Sequence, residues 1–164
     1  MASIAKDVGR VWALIKEIPV AMVVTHDGRG QQIRARPMAA HPAQEEGAIF
    51  FLTDADSLKA SEVEGNNSVC LAFADNNSRK YVSITGRADV VDDKNRIKQL
   101  YSVYDKAFWP DDNDSRIRIL QVIPESAELW EGAGRVVTAL KLVAASLSGE
   151  RTELGKNEKV GFDR

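Results

Sequence analysis

The chain of 164 residues has a single cysteine, two histidines and no apolar run near the ~20 residues of a transmembrane helix. Because Cys70 has no second cysteine to pair with, an internal disulfide is excluded, which fits a reducing compartment. His26 and His41 have no cysteine or second histidine at ligand spacing, so we do not expect a zinc site. The sequence also lacks a G-x-S-x-G elbow and a Walker loop. Acid–base chemistry from protein groups alone is therefore thinly supplied, and a bound cofactor is the natural candidate for any chemistry.

An excess of charge of one sign is also lacking. The net charge is −2 and charged residues make up 28% of the chain, so nothing favours nucleic acid or an anionic membrane as a partner. The first 18 residues carry charges where a signal peptide needs an apolar core, and we expect a cytoplasmic protein. The length and the 44% of hydrophobic residues predict a single domain over residues 1–164.

The most informative stretch, residues 31–59, reads as two strands followed by a turn that opens a helix. The first strand contains Arg34 and Arg36 and is interrupted at Pro37, which cannot donate to a sheet ladder. The second strand, 48–53, is almost entirely apolar. This composition predicts burial on both faces of the sheet.

Polar and charged groups gather after the second of these strands. Thr53 and Asp54 end the strand, Ser57 is predicted to cap the helix, and Lys59 lies in its first turn. A helix N-terminus favours an anion, and Arg36 adds two-pronged hydrogen bonding. These groups are what a phosphate monoester needs. The alternative from the same residues is a solvated hairpin followed by an ordinary capped helix.

Over the whole chain the pattern predicts about six strands, with helices at the start, between strands and at the end. Gly86, at the centre of a strand over 80–91, predicts a bend or bulge, a common way to curl a sheet. Pro124 is expected to separate a strand over 116–123 from a short one over 127–130. Mostly short turns favour an antiparallel barrel over a doubly wound sheet.

Helical spacing predicts three further features. The apolar residues of 3–16 form one stripe of a first helix, and a helix that begins at Asp92 places Ile97, Leu100, Tyr101, Tyr104 and Phe108 on one face. After a hinge at 132–134, residues 134–148 form an amphipathic C-terminal helix. The charged tail, 149–164, lacks periodicity, so we expect it to be ordered only if something outside the core holds it.

Seven short motifs follow one another in an order and spacing that are specific as a set. They are Arg36-Pro37-Met38, Phe50–Asp54, Ser57-Leu58-Lys59, Tyr81–Ala88, Ala107–Pro110, Leu129-Trp130 and Leu154–Val160. With them the chain resembles the flavin-binding split-barrel superfamily typified by pyridoxamine 5′-phosphate oxidase. It is more similar to the bacterial branch called general stress protein 26.

The resemblance implies a mainly β fold with flanking helices, a split β-barrel that forms a homodimer with FMN at the subunit interface. It places the strand at 36–38 along the flavin, and Arg36, Thr53, Ser57 and Lys59 at the ribityl and phosphate groups. A deazaflavin remains open as the alternative cofactor. The cofactor-binding residues implied in this way are Arg36, Pro37, Met38, Leu52, Thr53, Asp54, Ser57, Lys59, Tyr81, Trp109 and Trp130.

The chain also departs from the oxidase pattern. Leu58 stands where the oxidases have a second basic residue, Tyr81 where they have a glutamine, and His41 near the place of a substrate-binding lysine. Their C-terminal Arg-x-His element has no counterpart. We therefore expect an FMN-binding protein that is not a true pyridoxamine phosphate oxidase.

Two functions remain open for such a protein. One is a flavin-dependent oxidoreductase with a small-molecule substrate, which a pocket lined by Tyr81, Phe108 and Trp109 would favour. The other is a stress-related flavin carrier, buffer or sensor without turnover, which a shortage of acid–base groups would favour.

Overall fold

The computed structural model of the chain describes residues 2–27, 32–132 and 155–162. Three α-helices and eight strands, with short 3₁₀ turns at Gln44–Glu46 and Asp105–Ala107, account for most of them. The predicted C-terminal helix, 134–148, lies outside the described residues. The elements are α1 Ala2–Glu17, β1 Val20–His26, β2 Ile33–Ala39, β3 His41–Ala43, β4 Ala48–Asp54, α2 Leu58–Gly65, β5 Ser68–Asp75, β6 Lys80–Val91, α3 Lys94–Leu100, β7 Ile117–Gly132 and β8 Gly155–Gly161.

All eight strands belong to one antiparallel sheet, which curls into the predicted barrel. The strand order is β2-β1-β5-β6-β7-β4-β3, and β8 pairs with β7 beside this path. The predicted fold class, mainly β with flanking helices, is confirmed, but the number of strands was underestimated. The missed strands are the three-residue β3, too short for a periodic signal, and β8 in the tail.

The longest strand, β7, runs through the position where a break was predicted. Pro124 lies opposite Gly86 of β6, at a shift in register that begins between Thr85 and Gly86. On β7 the shift leaves Glu125 as an extra residue, since Thr85 pairs with Ser126. The expected bulge at Gly86 is confirmed, whereas the break at Pro124 is wrong. A proline is tolerated at a bulge because no ladder donor is needed there.

Residues 155–162 of the charged tail form part of the fold itself, which corrects the expectation that the tail needs support from outside the core. Strand β8 pairs with β7 over Ser126–Gly132. Val160 is buried in the main core, and the Phe162 ring packs edge-on against Trp12 with centroids 6.1 Å apart. The pairing of β8 with β7 uses main-chain groups. The side-chain pattern of this segment therefore did not indicate a strand.

The helix over 94–100 is shorter than its aromatic spacing predicted. Asp93 caps it by accepting hydrogen bonds from the backbone N–H groups of Asn95 and Arg96, both at 3.0 Å. Ile97 is buried as expected, but Tyr104 and Phe108 lie beyond the helix and are 81% and 74% exposed. The predicted helical face therefore does not extend to these two rings, because the helix ends at Leu100.

Strand β4 separates two hydrophobic cores. Ile49 and Phe51 are fully buried in the larger core, which α1 covers with Trp12 and Ile15. The alternate side chains of β4, including Leu52, lie in a smaller core with Ile97 and Trp109. The predicted burial of β4 on both faces is confirmed. None of the helices in the described part of the chain is long and apolar enough to cross a membrane.

The close approach of two strands at the bulge gives a stability prediction. A Cβ atom added at Gly86 would lie 2.5 Å from the carbonyl oxygen of Ile123. We expect Gly86→Ala to lower the free energy of unfolding by about 1–3 kcal/mol, because the two strands would have to separate. Urea denaturation measures this change.

Gly9→Ala is the matched control. A methyl group at Gly9 of α1 meets nothing within 4 Å, so this variant should be neutral or up to about 1 kcal/mol more stable. Equal stability of Gly86→Ala and the wild type would contradict the close approach.

Candidate functional site

A cavity of about 320 Å³ lies where the end of β2 meets the end of β4 and the segment after α3. This volume is at the lower end of the range for small-molecule sites. The walls combine apolar and aromatic side chains with a few polar groups. The lining residues are Pro37, Met38, Ala39, His41, Leu52, Thr53, Asp54, Asp105, Phe108 and Trp109.

Six of the eleven residues predicted from the sequence line this one cavity. Pro37 and Met38 come from β2, and Leu52, Thr53 and Asp54 from the end of β4. Trp109 arrives from the loop after α3. Strand β2 packs against β4 through Met38 in the larger core, and Trp109 packs with Leu52 in the smaller core, so segments that are distant in sequence meet.

The end of β4 is held by hydrogen bonds of the predicted turn. Asp54 Oδ1 accepts from the backbone N–H of Asp56, and the Asp54 carbonyl oxygen accepts from that of Ser57, both at 3.1 Å. The hydroxyl oxygens of Thr53 and Ser57 lie 3.1 Å apart. Lys59 is the second residue of α2. Thr53, Ser57 and the start of α2 are therefore neighbours at one edge of the cavity.

Trp109 is fixed against this edge. It is 6% exposed, and its Nε1 donates to Asp54 Oδ2 at 3.4 Å. The hydroxyl of Tyr101 donates to the Trp109 carbonyl oxygen at 2.6 Å. The Phe108 ring lies next to it, with centroids 5.9 Å apart and planes inclined by 51°. The cavity thus has one rigid buried ring and one exposed ring.

His41 and Asp105 add titratable groups to the wall. Asp105 is 8% exposed, and its Oδ2 accepts hydrogen bonds from the backbone N–H and the hydroxyl of Ser102, at 2.8 and 2.6 Å. Burial lowers the pKa of His41 below its ordinary value of 6.5, although the charge of Asp105 acts in the opposite direction. The imidazole is therefore neutral at pH 7. Sequence reasoning missed Asp105 and Ala39, because a helix was expected through 105 and Ala39 carries no polar group.

Arg36 belongs to a buried network beside the cavity. Its Nη1 donates to Thr25 Oγ1 at 2.6 Å and its Nη2 to Glu62 Oε2 at 2.8 Å. Thr25 also donates to the same Glu62 oxygen. A second guanidinium, from Arg34, lies 3.5 Å from Glu62 Oε1. The sequence pattern indicated the two arginines but gave no signal for Glu62, since a single glutamate in a helix is usually solvated.

These contacts decide the charge of Glu62. Burial alone would raise the pKa of its carboxyl group, but hydrogen bonds from Thr25 and Arg36 and the charges of Arg36 and Arg34 lower the pKa below the ordinary 4.5. Glu62 is therefore ionised at pH 7. The cluster of two arginines and one glutamate carries a net charge of +1.

Tyr81 and Trp130 lie away from the cavity within one chain. They pair with each other across β6 and β7, and the Tyr81 hydroxyl donates to Asn76 Oδ1 at 3.1 Å. Neither ring is among the residues that line the cavity. Trp130 lies at the opposite end of β7 from Arg118, which pairs with Thr53 at the cavity. The structure of one chain therefore does not bring these two rings to the other predicted residues.

One apolar surface joins these two regions. Alternate residues of the paired strands point away from the core and share one face, because directly opposed residues project on the same side. Val20 and Met22 on it are 48% and 39% exposed. We call this the outer face: it comprises Val20, Met22 and Val24 of β1, Ala35, Pro37 and Ala39 of β2, Cys70, Ala72 and Ala74 of β5, and Tyr81 and Trp130.

The comparisons with known proteins agree with this fold. The family model described as "Pyridoxamine 5'-phosphate oxidase like" matches residues 6–153. A candidate general stress protein 26 from Jannaschia sp. CCS1 shares 20% identity at a TM-score of 0.72, over 99% of this chain and 100% of that chain. A general stress protein 26-related protein of the pyridoxinephosphate oxidase family from Clostridium acetobutylicum shares 15% identity at 0.67, over 95% and 94%.

A general stress FMN/FAD binding protein from Xanthomonas citri shares 23% identity at a TM-score of 0.63, over 74% of this chain and 86% of that chain. No curated protein matches the chain. The predicted split barrel is thus confirmed, and the family that the motifs indicated agrees with the matched model.

The Glu62 network makes stability depend on pH. Because the pKa of Glu62 is lowered in the folded protein, its contribution is complete above about 4.5 and is lost as the pH falls through the lowered value. We expect Glu62→Gln to cost about 1.5–3 kcal/mol of unfolding free energy at pH 7, because a charge-assisted bond is lost. The difference from the wild type should shrink between pH 5 and 3.

Denaturant unfolding at several pH values measures both quantities. Glu64→Gln, at an exposed position of the same helix, is the control and should change little at any pH. A cost of Glu62→Gln that stays constant from pH 7 to 3 would contradict the ionised network.

Proposed function

Because this chain belongs to the pyridoxamine 5′-phosphate oxidase-like family, we propose that it is a flavoprotein of the general stress protein 26 type that binds FMN at the cavity. The observation that carries the proposal is the convergence of Pro37, Met38, Leu52, Thr53, Asp54 and Trp109 on one cavity. All six are among the residues that the sequence motifs indicate for the cofactor. Bound FMN would supply electron or hydride transfer, and the protein would supply position and electrostatics.

The side chains present fit a flavin. Met38, Leu52 and Trp109 offer apolar surface for a flat ring, and Trp109 is fixed by its hydrogen bonds. The hydroxyls of Thr53 and Ser57 suit ribityl or phosphate oxygens. Lys59 and the backbone N–H groups at the start of α2 would add a positive end for the phosphate.

Arg36 is the second cation proposed for the phosphate, although it also binds two other side chains of the chain. Its hydrogen bonds to Thr25 and Glu62 use two of the five N–H groups of a guanidinium. We propose that Glu62 orients Arg36 and that the remaining N–H groups serve the phosphate. Arg34 offsets the charge of Glu62, so an anion still meets a positive cluster.

We further propose a homodimer in which the outer face forms the interface. Exposed apolar patches of this kind are typical of interaction surfaces. Pro37 and Ala39 belong both to the outer face and to the cavity wall, so a partner on this face would cover the cavity. Tyr81 and Trp130, remote within one chain, would then reach the flavin from the partner subunit.

The proposed activity is that of a flavin-dependent oxidoreductase with a small-molecule substrate. One observation favours the alternative of a flavin carrier, buffer or sensor: both carboxylates of the cavity accept hydrogen bonds from the protein itself, which leaves His41 as the main proton-transfer group of the described wall. The rates of reoxidation decide between them. Bound flavin reduced by NADH or NADPH should reoxidise faster than free FMN with some acceptor if the protein is an enzyme.

The phosphate site gives the sharpest binding prediction. Arg36→Ala and Lys59→Ala should each weaken FMN by about ten- to a hundred-fold, because a charge-assisted contact contributes about 1.5–3 kcal/mol. Riboflavin, which lacks the phosphate, should bind much less well to the wild type and be nearly insensitive to both substitutions. Fluorescence titration of each flavin measures these affinities.

Lys94→Ala, at an exposed lysine of α3, is the control and should bind FMN as the wild type does. A substitution that weakens FMN and riboflavin equally has disturbed the fold instead of the phosphate contact. Equal affinities of the wild type for the two flavins would refute the phosphate site.

The interface gives a prediction about mass. Met22→Asp places a charge on the outer face and should convert a dimer of about 36 kDa, twice the 18.0 kDa of one chain, into a monomer. We expect FMN to bind more weakly to this monomer. Val103→Asp, at a valine that is 71% exposed outside the outer face, should remain dimeric. Light scattering that shows a wild-type monomer with FMN still bound would overturn the interface.

A further inference from the structure

We propose that the cavity, in addition to its flavin, accepts a planar aromatic substrate that is uncharged or cationic, and that it discriminates against anionic substrates such as phosphate esters and carboxylates. This inference rests on the proposed function, since it assigns the substrate class of the same site. The carrying observation is the charge of the cavity wall, which holds two carboxylates and, among the described residues, no lysine or arginine.

The residues of the wall fall into two groups. Those of β2 and β4 other than Ala39, with Trp109, are the ones assigned to the flavin. His41, Asp105 and Phe108 line the same cavity and are left for a second ligand. They come from β3 and from the segment after α3.

The charge of the whole cavity wall, including the residues assigned to the flavin, is negative. Asp54 and Asp105 contribute carboxylates, and His41 is neutral at pH 7 because burial lowers its pKa. Among the described residues that line the cavity there is no lysine or arginine. Arg116 interacts electrostatically with Asp54, but its guanidinium is bound by Asp114 at 2.7 and 3.0 Å. An entering anion would therefore meet two carboxylates and no cation of the wall.

The burial of Asp105 strengthens the electrostatic interaction of its carboxylate with a ligand in the cavity. Its side chain is enclosed, and the hydrogen bonds from Ser102 keep Oδ2 as an acceptor. Electrostatic interactions are stronger in such partly dehydrated surroundings than in water. A ligand that donates a hydrogen bond or carries positive charge is favoured at Asp105, and an anion is repelled.

The shape and polarity of the wall favour an aromatic ligand. Phe108 is 74% exposed beside the buried Trp109, so its ring is available to pack on a flat molecule at the cavity mouth. An aromatic face also attracts cations. His41 adds one neutral group that can donate or accept a hydrogen bond. Together these groups suit a flat ring with a neutral or cationic hydrogen-bonding substituent.

Three ligands of one shape test the charge preference directly: 2-naphthamide, 2-naphthamidine and 2-naphthoate. Each is added to the FMN-reconstituted protein, and binding is followed by the change in the visible spectrum of the flavin and by tryptophan fluorescence. We expect the amide and the amidine to bind at least about tenfold more tightly than the carboxylate. Asp105→Asn should strengthen 2-naphthoate by about tenfold and leave 2-naphthamide nearly unchanged.

Asp89→Asn is the control, since this aspartate is exposed on β6 away from the cavity, and it should alter none of the three affinities. If Asp105→Asn does not fold, Asp54→Asn is expected to relax the discrimination in the same direction. Binding of 2-naphthoate that equals or exceeds that of 2-naphthamide overturns the proposal, and so does failure of 2-naphthamide to bind up to its solubility limit.

The two proposals fail separately in this experiment. A protein that takes up no flavin refutes the proposed function, and the tryptophan signal of the same ligand series still ranks the three charges. A flavin-loaded protein that prefers the carboxylate refutes the substrate class alone.

Discussion

Burial of β4 on both faces determines where the polar groups at its end are placed. Ile49 and Phe51 pack against α1 in the larger core, and the alternate residues pack with Trp109 in the smaller one. Pairing with β7 fixes the register, so that Thr53 and Asp54 end the strand opposite Arg118 and Ile117. A strand held on both faces and along its edge has little freedom to shift. Its polar end therefore presents fixed groups to the cavity.

Charge is distributed unequally around this fixed end. On one side, two arginines surround a buried glutamate whose pKa they lower, which leaves a positive cluster suited to a cofactor phosphate. On the other side, Asp54 and Asp105 stand beside a neutral imidazole. A molecule that carries an anion at one end and a neutral ring at the other, as FMN does, matches this polarity. The same polarity disfavours a second anion next to the ring.

Much of this arrangement could be predicted because its signals are local. The apolar run of β4, the alternation of β6 and the glycine at the bulge each follow from side-chain period or backbone freedom. Features that depend on contacts between residues distant in sequence were not predicted. β8 is held by main-chain bonds to β7, the bulge absorbs Pro124, and the partners of Arg36 are Thr25 and Glu62, 11 and 26 residues away. The order of polar and apolar side chains along the sequence does not indicate such contacts.

A crystal structure of the protein reconstituted with FMN tests the proposal that a flavin binds in the cavity between the ends of β2 and β4. We expect the flavin ring against Met38, Leu52 and Trp109, and the phosphate near Ser57, Lys59 and Arg36. A flavin bound at any other place on the protein, or a cavity that stays empty at saturating FMN, would refute the proposal.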